Sequence, residues 1–194
     1  VTTTTPMVLP RRTNSGVRIG DKIYLVGGTA YYPTYHERGF RQHATAVLSV
    51  FDLHTKQWAP LQNLPASLDT RAVKFKGMVC AMGGYDGYHT WKTFQCYNTR
   101  TGQWGLMPDA PLPASAHSLA VHEDKLYAFG DYTQMSQVEM YNAANHQWSQ
   151  PSIPFQPARH AAAVTFGNDI YVIGGNTGSN GPYLDKIQVF SVAN

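Results

Sequence analysis

The sequence predicts an all-β fold made of four repeats of one four-stranded unit, and three observations carry that expectation. The first is a recurring end to an apolar strand: DKIYLVGG (Gly27 and Gly28), GMVCAMGG (Gly83 and Gly84), DKLYAFGD (Gly130 and Asp131) and NDIYVIGG (Gly174 and Gly175). Gly27 to Gly83 is 56 residues, Gly83 to Gly130 is 47 and Gly130 to Gly174 is 44, a period of the size used by four-stranded β units. The second is an aromatic residue seven positions before a tryptophan, from Phe51 to Trp58, Tyr97 to Trp104 and Tyr141 to Trp148. The third is composition: 17 glycines, 12 prolines and only 14% charged residues in 194, which suits many tight turns better than a helical bundle.

Each unit divides into strands a to d. In the second unit, RAVKF (Arg71 to Phe75) is strand a and a Lys76-Gly77 turn leads into MVCAM as strand b. TFQCYN is strand c, NTRTGQ is the turn, and strand d starts at Trp104. The other a–b turns are Gly20-Asp21, Glu123-Asp124 and Gly167-Asn168, mostly short-hairpin chemistry. Four such units form one domain over residues 1–194, with blades at about 11–63, 71–112, 116–156 and 160–194 plus 1–10.

The last unit is completed from the other end of the chain in this reading. Phe190 has no tryptophan after it, because the matching position would be 197. Pro10, Pro113 and Pro157 each precede the first glycine of the next pair by 17 residues. The opening VTTTTPMVLP is therefore expected to supply strand d, pairing with Ile187 to Val192 and removing a free sheet edge. Completion of a larger ring by further chains is the alternative.

The double glycine after an apolar strand, followed by an aromatic residue and then a tryptophan, resembles the kelch repeat, and GGYDG (Gly83 to Gly87) is especially similar. The resemblance covers nearly the whole chain and implies a kelch-type β-propeller. Propellers of that family more often have six or seven blades. Asp131 in place of a glycine and the absent fourth tryptophan depart from the pattern.

In such propellers the d–a and b–c loops share one face. The excess length of the first repeat lies in Thr29 to Ala46, which holds Tyr31, Tyr32, Tyr35, Phe40, Arg38 and Arg41. Long loops in compact domains are functional or disordered, and disordered segments seldom carry so many aromatics. The same face is expected to hold Arg71, His117, Arg159 and His160 from d–a loops, and Tyr85, Tyr88 and Trp91 from the second b–c loop. Arginine and tyrosine are favoured at binding hot spots. The expected function is a binding module for a protein or peptide with acidic groups, although any one of these arginines could instead tie adjacent blades together.

The alternative is an anionic sugar at the central mouth, since bacterial sialic-acid epimerases resemble kelch propellers. No catalytic set is nominated: there is no GxSxG elbow and no obvious acid/base pair. No cofactor is expected, and the histidines lack metal-ligand spacing. A formal charge of +3 without a basic run argues against a nucleic-acid partner. No apolar stretch is long enough for a membrane span. The opening residues lack a signal-peptide core, and the chain begins without Met, so the compartment stays open. Cys80 and Cys96 fall on neighbouring strands of one blade, and a pair of buried thiols is the simpler expectation.

Overall fold

The computed structural model describes residues 5–33 and 40–192. All of its named elements are β-strands, and four sheets form the blades of a propeller. Blade 1 is β1 (Ser15–Ile19), β2 (Lys22–Val26), β5 (Leu48–Asp52) and β6 (Trp58–Pro60), with the hairpin β3 (Thr29–Pro33) and β4 (Phe40–Ala44) inserted between its second and third strands. Blade 2 is β7 (Asp69–Phe75), β8 (Met78–Tyr85), β9 (Thr90–Asn98) and β10 (Gln103–Met107). Blade 3 is β11 (Ser118–His122), β12 (Lys125–Phe129), β13 (Val138–Asn142) and β14 (Gln147–Ser149). Blade 4 is β15 (Ala162–Phe166), β16 (Asp169–Ile173) and β17 (Ile187–Ser191).

The spacings in the sequence have direct geometric causes. Seven residues from aromatic to tryptophan is the distance around the c–d hairpin, so Phe51 lies opposite Trp58, Tyr97 opposite Trp104 and Tyr141 opposite Trp148. Their ring centroids are 5.0, 5.4 and 5.3 Å apart, within the range of favourable aromatic pairs. The indole N–H of Trp104 donates to the Gln62 carbonyl, and that of Trp148 to the Pro108 carbonyl. Each tryptophan thus also holds the linker leaving the preceding blade.

The glycine pair answers a close approach on two sides. A Cβ on Gly27, Gly83 or Gly130 would strike the carbonyl of Leu68, Ala114 or Ala158, each in the linker that enters the next blade. A Cβ on Gly28, Gly84 or Gly175 would strike the carbonyl of Arg12, Asp69 or Arg159, where the chain enters the first strand of its own blade. All six glycines also have positive φ, where other residues are strained. Asp131 stands at the second position in blade 3 and substitutes side-chain bonds for that contact. Its carboxylate accepts from the backbone N–H groups of Ser115 (2.7 Å), Thr133 (2.8 Å) and Gln134 (3.0 Å).

Because strand side chains alternate between faces, every blade has one apolar face toward its predecessor and one toward its successor. Three core clusters result. Tyr24, Val26 and Leu48 meet Val79 and Ala81 between blades 1 and 2. Phe75, Met82 and Phe94 meet Leu126 and Tyr141 between blades 2 and 3. Tyr127 and Phe129 meet Ile170, Val172 and Phe190 between blades 3 and 4. A polar residue recurs in strand c: Ser49, Gln95, Glu139 and Gln188. Glu139 accepts from the Leu112 N–H at 2.9 Å, Gln188 accepts from the Gln156 N–H at 2.7 Å, and Ser49 accepts from Arg11 at 2.9 Å. Glu139 and Gln188 thereby clasp the linker arriving from the blade before, and Ser49 holds the segment that leads into blade 1.

Cys80 and Cys96 are bonded as a disulfide, which corrects the expectation of two thiols. They face one another directly across β8 and β9 with Cα atoms 4.0 Å apart, and a close cross-strand pair brings the two sulfurs within bonding reach.

Of the segment expected to complete blade 4, residues 1–4 lie outside the described residues. Residues 5–10 carry no strand. They run as a linker over blade 1, where the Thr5 hydroxyl donates to the Lys56 carbonyl at 3.0 Å. Among the described residues β17 is the outermost strand of its sheet.

Candidate functional site

The innermost strands β1, β7, β11 and β15 border a central channel, a cavity of about 380 Å³ that Val17, Arg71, Val73, His117, Leu119 and Ala162 help to line. Above it, on the face of the d–a and b–c loops, is a mouth of about 470 Å³. Thr13, Asp69, Arg71, Tyr85, Tyr132 and His160 are among its walls. Thr13, Ala116 and His160 sit at equivalent corners, 14 residues before the first glycine of their blades, with φ of 56, 55 and 56°. For a β-branched residue such as Thr13 this is a strained conformation, of the kind that gathers at binding sites.

Arg71 is the cation at the centre of the mouth. Its Nη1 donates to Asp69 Oδ1 at 3.1 Å, to the Thr13 carbonyl at 3.2 Å and to the Thr70 carbonyl at 3.3 Å. Its Nε and Nη2 have no hydrogen bond among the described residues, so two nitrogens of the guanidinium fork, with three N–H groups, remain for a ligand. His160 lines the same cavity, and burial followed by the charges of Arg71 and Arg159 lowers its pKa. It is held toward the neutral form.

His117 lies one level below and is fully buried. Burial first, and Arg71 second, push its pKa down to about 3, against weaker pulls from Asp131 and the Met82 carbonyl. Neither ring nitrogen has a hydrogen bond of good geometry among the described residues.

Arg159 is placed differently from Arg71. Its Nε donates to Asn176 Oδ1, its Nη1 to the Tyr132 carbonyl and its Nη2 to Ser179 Oγ, at 3.1, 3.0 and 3.0 Å. The guanidinium carbon stands 3.9 Å from the Tyr132 ring centroid, a cation–π contact. Arg159 is buried: Nε and Nη2 hold the loop between β16 and β17 of its own blade, and Nη1 with the ring contact fastens it to the loop of blade 3.

The second b–c loop is fixed by Asp86. Its carboxylate accepts from the N–H groups of Tyr88 (2.7 Å) and His89 (2.6 Å) and from the Trp91 indole (2.8 Å). Led by the His89 bond and opposed by desolvation, these contacts hold its pKa down at about 2. Trp91 thereby becomes a support for the loop, while Tyr88 projects into solvent. A second groove of about 370 Å³ runs between this loop and the β3–β4 hairpin, lined by Tyr85, Tyr88, Gln42 and His43.

In that hairpin Tyr31 is exposed, and Tyr32 is in register with Arg41. Tyr35 and Arg38 lie outside the described residues. The structure therefore brings together Arg71, Tyr85 and His160 at the mouth and sets Tyr88 at the adjoining groove. Asp69, Thr13 and Tyr132 were not singled out from the sequence. Tyr132 had a readable signal, since it follows Gly130 by two residues as Tyr85 follows Gly83.

Among the described residues, no group of three His, Cys, Asp or Glu side chains is placed to hold a metal ion. Among the described residues no helix is long and apolar enough to cross a membrane.

Comparison with known proteins adds the family. The Kelch motif matches residues 157–194. The human protein Kelch-like protein 23 is 26% identical over 95% of this chain, covering 32% of its own length. The chain belongs to the kelch-repeat family. Among other kelch relatives, Kelch-like protein terF of Aspergillus terreus is 29% identical over 90% of this chain and 40% of its own length. Alpha-scruin of Limulus polyphemus is 30% identical over 72% of this chain and 17% of its own length. The chain thus spans about a third of the length of the first of these curated relatives. The kelch assignment accords with the blade pattern, in which glycine pairs and cross-strand tryptophans recur.

Proposed function

We propose that this kelch propeller is a binding module for a protein or peptide, and that its mouth receives an acidic group of the partner. The observation that carries this reading is Arg71, a guanidinium at the mouth with two nitrogens unspent, walled by Tyr85, Tyr132 and His160. A forked donor beside aromatic walls suits a carboxylate on a peptide chain: the fork orients the anion and the rings bury its stem. Tyr88 and the groove beneath it extend the contact surface toward the β3–β4 hairpin, where Tyr31, Tyr32 and Arg41 lie. Tyr35 and Arg38 belong to the same hairpin in sequence and enter the proposal with it. In this reading Arg159 and Trp91 support the site from behind, and His117 forms the neutral floor of the channel.

The test is binding of an array of acidic and amidated peptides to the chain and to Arg71→Glu. Loss of a hot-spot donor with charge reversal should weaken binding of the acidic set by at least about 30-fold, on the order of 2 kcal/mol. The circular dichroism spectrum should stay unchanged. Equal binding by both proteins, or no preference for acidic peptides, would refute the site.

A further inference from the structure

We propose that His117 is a ligand contact. Its ring N–H bonds to an oxygen of the same carboxylate that takes the free nitrogens of Arg71, drawing the acid through the mouth into the channel. This rests on the reading of Arg71 as the receptor of an acidic group and adds a second contact to it. The two residues belong to blades 2 and 3, each packed against a described blade on either side.

The repeats supply an internal control. His117 stands thirteen residues before the first glycine of its blade, and Asn14, Thr70 and Ala161 hold that position in the others. Asn14 spends its side chain on the Arg11 carbonyl at 3.0 Å, and Thr70 donates to the Met82 carbonyl at 3.0 Å. Ala161 has no polar group to place, so the fold asks for nothing larger than a methyl group here. His117 is an imidazole, 1% exposed, and neither ring nitrogen has a partner among the described residues. Leaving a buried polar group unmatched is costly, and such groups in native folds mark strain or function.

The ring also stands where a ligand on Arg71 would arrive. His117 and Arg71 both line the channel cavity of about 380 Å³, and Arg71 also walls the mouth above it. Three acceptors hold Arg71 at Nη1, which fixes the guanidinium and leaves Nε and Nη2 for the ligand. The Met82 carbonyl acts only weakly on the ring and is already taken by Thr70. Burial and the Arg71 charge keep the imidazole neutral, so one nitrogen carries a hydrogen to donate. A neutral ring thus adds a donor without adding a second buried cation. A carboxylate has lone pairs enough for a forked arginine and one further donor. Val17, Val73 and Leu119 line the same cavity, and apolar walls strengthen such bonds.

Nitrogen-15 NMR of the intact chain with three small probes tests the proposal. Acetylglutamate amide offers a side-chain carboxylate, acetylalanine a chain-terminal one, and acetylglutamine amide the neutral counterpart of the first. One or both carboxylate probes should move the His117 ring signals and the Arg71 Nε–H signal in the same saturable titration. The neutral probe should move neither. His117→Ala, which installs the residue that blade 4 has at this position, should weaken binding of the carboxylate at least about 10-fold, the loss of one hydrogen bond to a charged group. A response at Arg71 without one at His117, or unchanged affinity in His117→Ala, would overturn the proposal and leave the reading of the mouth standing. Silence at both residues would overturn both.

Discussion

Blades 2 and 4 use the same pattern and end in different surroundings. At the position opposite its own strand c, blade 2 has Cys80 facing Cys96, and blade 4 has Tyr171 facing Val189. Eight residues before the glycine pair both have phenylalanine. In blade 2 these side chains are buried in one core with a four-ring cluster, where Phe75, Phe94, Tyr141 and Trp148 meet at centroid separations of 4.9 to 6.4 Å. In blade 4 the matching face has no described neighbour. A repeat specifies which residues face outward from a blade; only the next blade decides what their burial contributes.

The sharpest way to break the comparison is to truncate the paired phenylalanines. Phe75→Ala should destabilise the fold by about 3–5 kcal/mol, the usual cost of removing a buried phenylalanine. Phe166→Ala in the isolated, dilute chain should change stability by less than about 0.5 kcal/mol, as exposed positions do. Urea unfolding of both variants measures the contrast, and equal effects would abolish the distinction between covered and bare faces.

The disulfide ranks next. Replacing Cys80 and Cys96 together by alanine opens a loop with a sequence separation of 16, and the chain-entropy estimate for such a loop is about 3 kcal/mol. The loss should be confined to blade 2 and its junction with blade 3, which hydrogen exchange would show.

The smallest expected effect separates the channel from the rest of the molecule by pH. His117 has a folded pKa of about 3, below the ordinary histidine value of 6.5. Above pH 6.5 both folded and unfolded states hold it neutral, and it has no effect. Below that value the unfolded state takes up a proton that the folded state resists, so stability falls as pH falls, until about pH 3. The loss should be on the order of 2 kcal/mol between pH 7 and pH 5. His117→Gln should flatten this slope in thermal melts, and an unchanged slope would assign the effect elsewhere, His160 being the next candidate.

Much of this architecture was legible from the sequence because it rests on strict local geometry. A hairpin fixes the seven residues from Tyr97 to Trp104, and a carbonyl pressed on Gly27, Gly83 and Gly130 permits no side chain there. Pairings made across blades were not legible. Arg71 and Arg159 both read as arginines of d–a loops, yet one keeps two nitrogens and the other spends all of its nitrogens on Asn176, Ser179 and Tyr132. Nothing in their immediate sequence distinguishes them, because the partners of Arg159 lie 17 to 27 residues away. Cys80 and Cys96 were placed on adjacent strands from the repeat, but their bonding depends on exact cross-strand register, which composition does not encode. Asp131 read as a defect in the glycine pair and is instead the cap of its loop.

The third-strand polar residues Ser49, Glu139 and Gln188 give three incoming chain segments distinct addresses. Repeated sheets of similar shape are prone to dock in the wrong order or to exchange between molecules during folding. A serine that receives a guanidinium, a glutamate that can only accept, and a glutamine that both accepts and donates are three different locks. A linker seated in the wrong seam leaves a buried donor or acceptor unmatched, which costs about 1–3 kcal/mol. The apolar faces alone would tolerate permutation of the blades; these few hydrogen bonds penalise it and set one order around the axis.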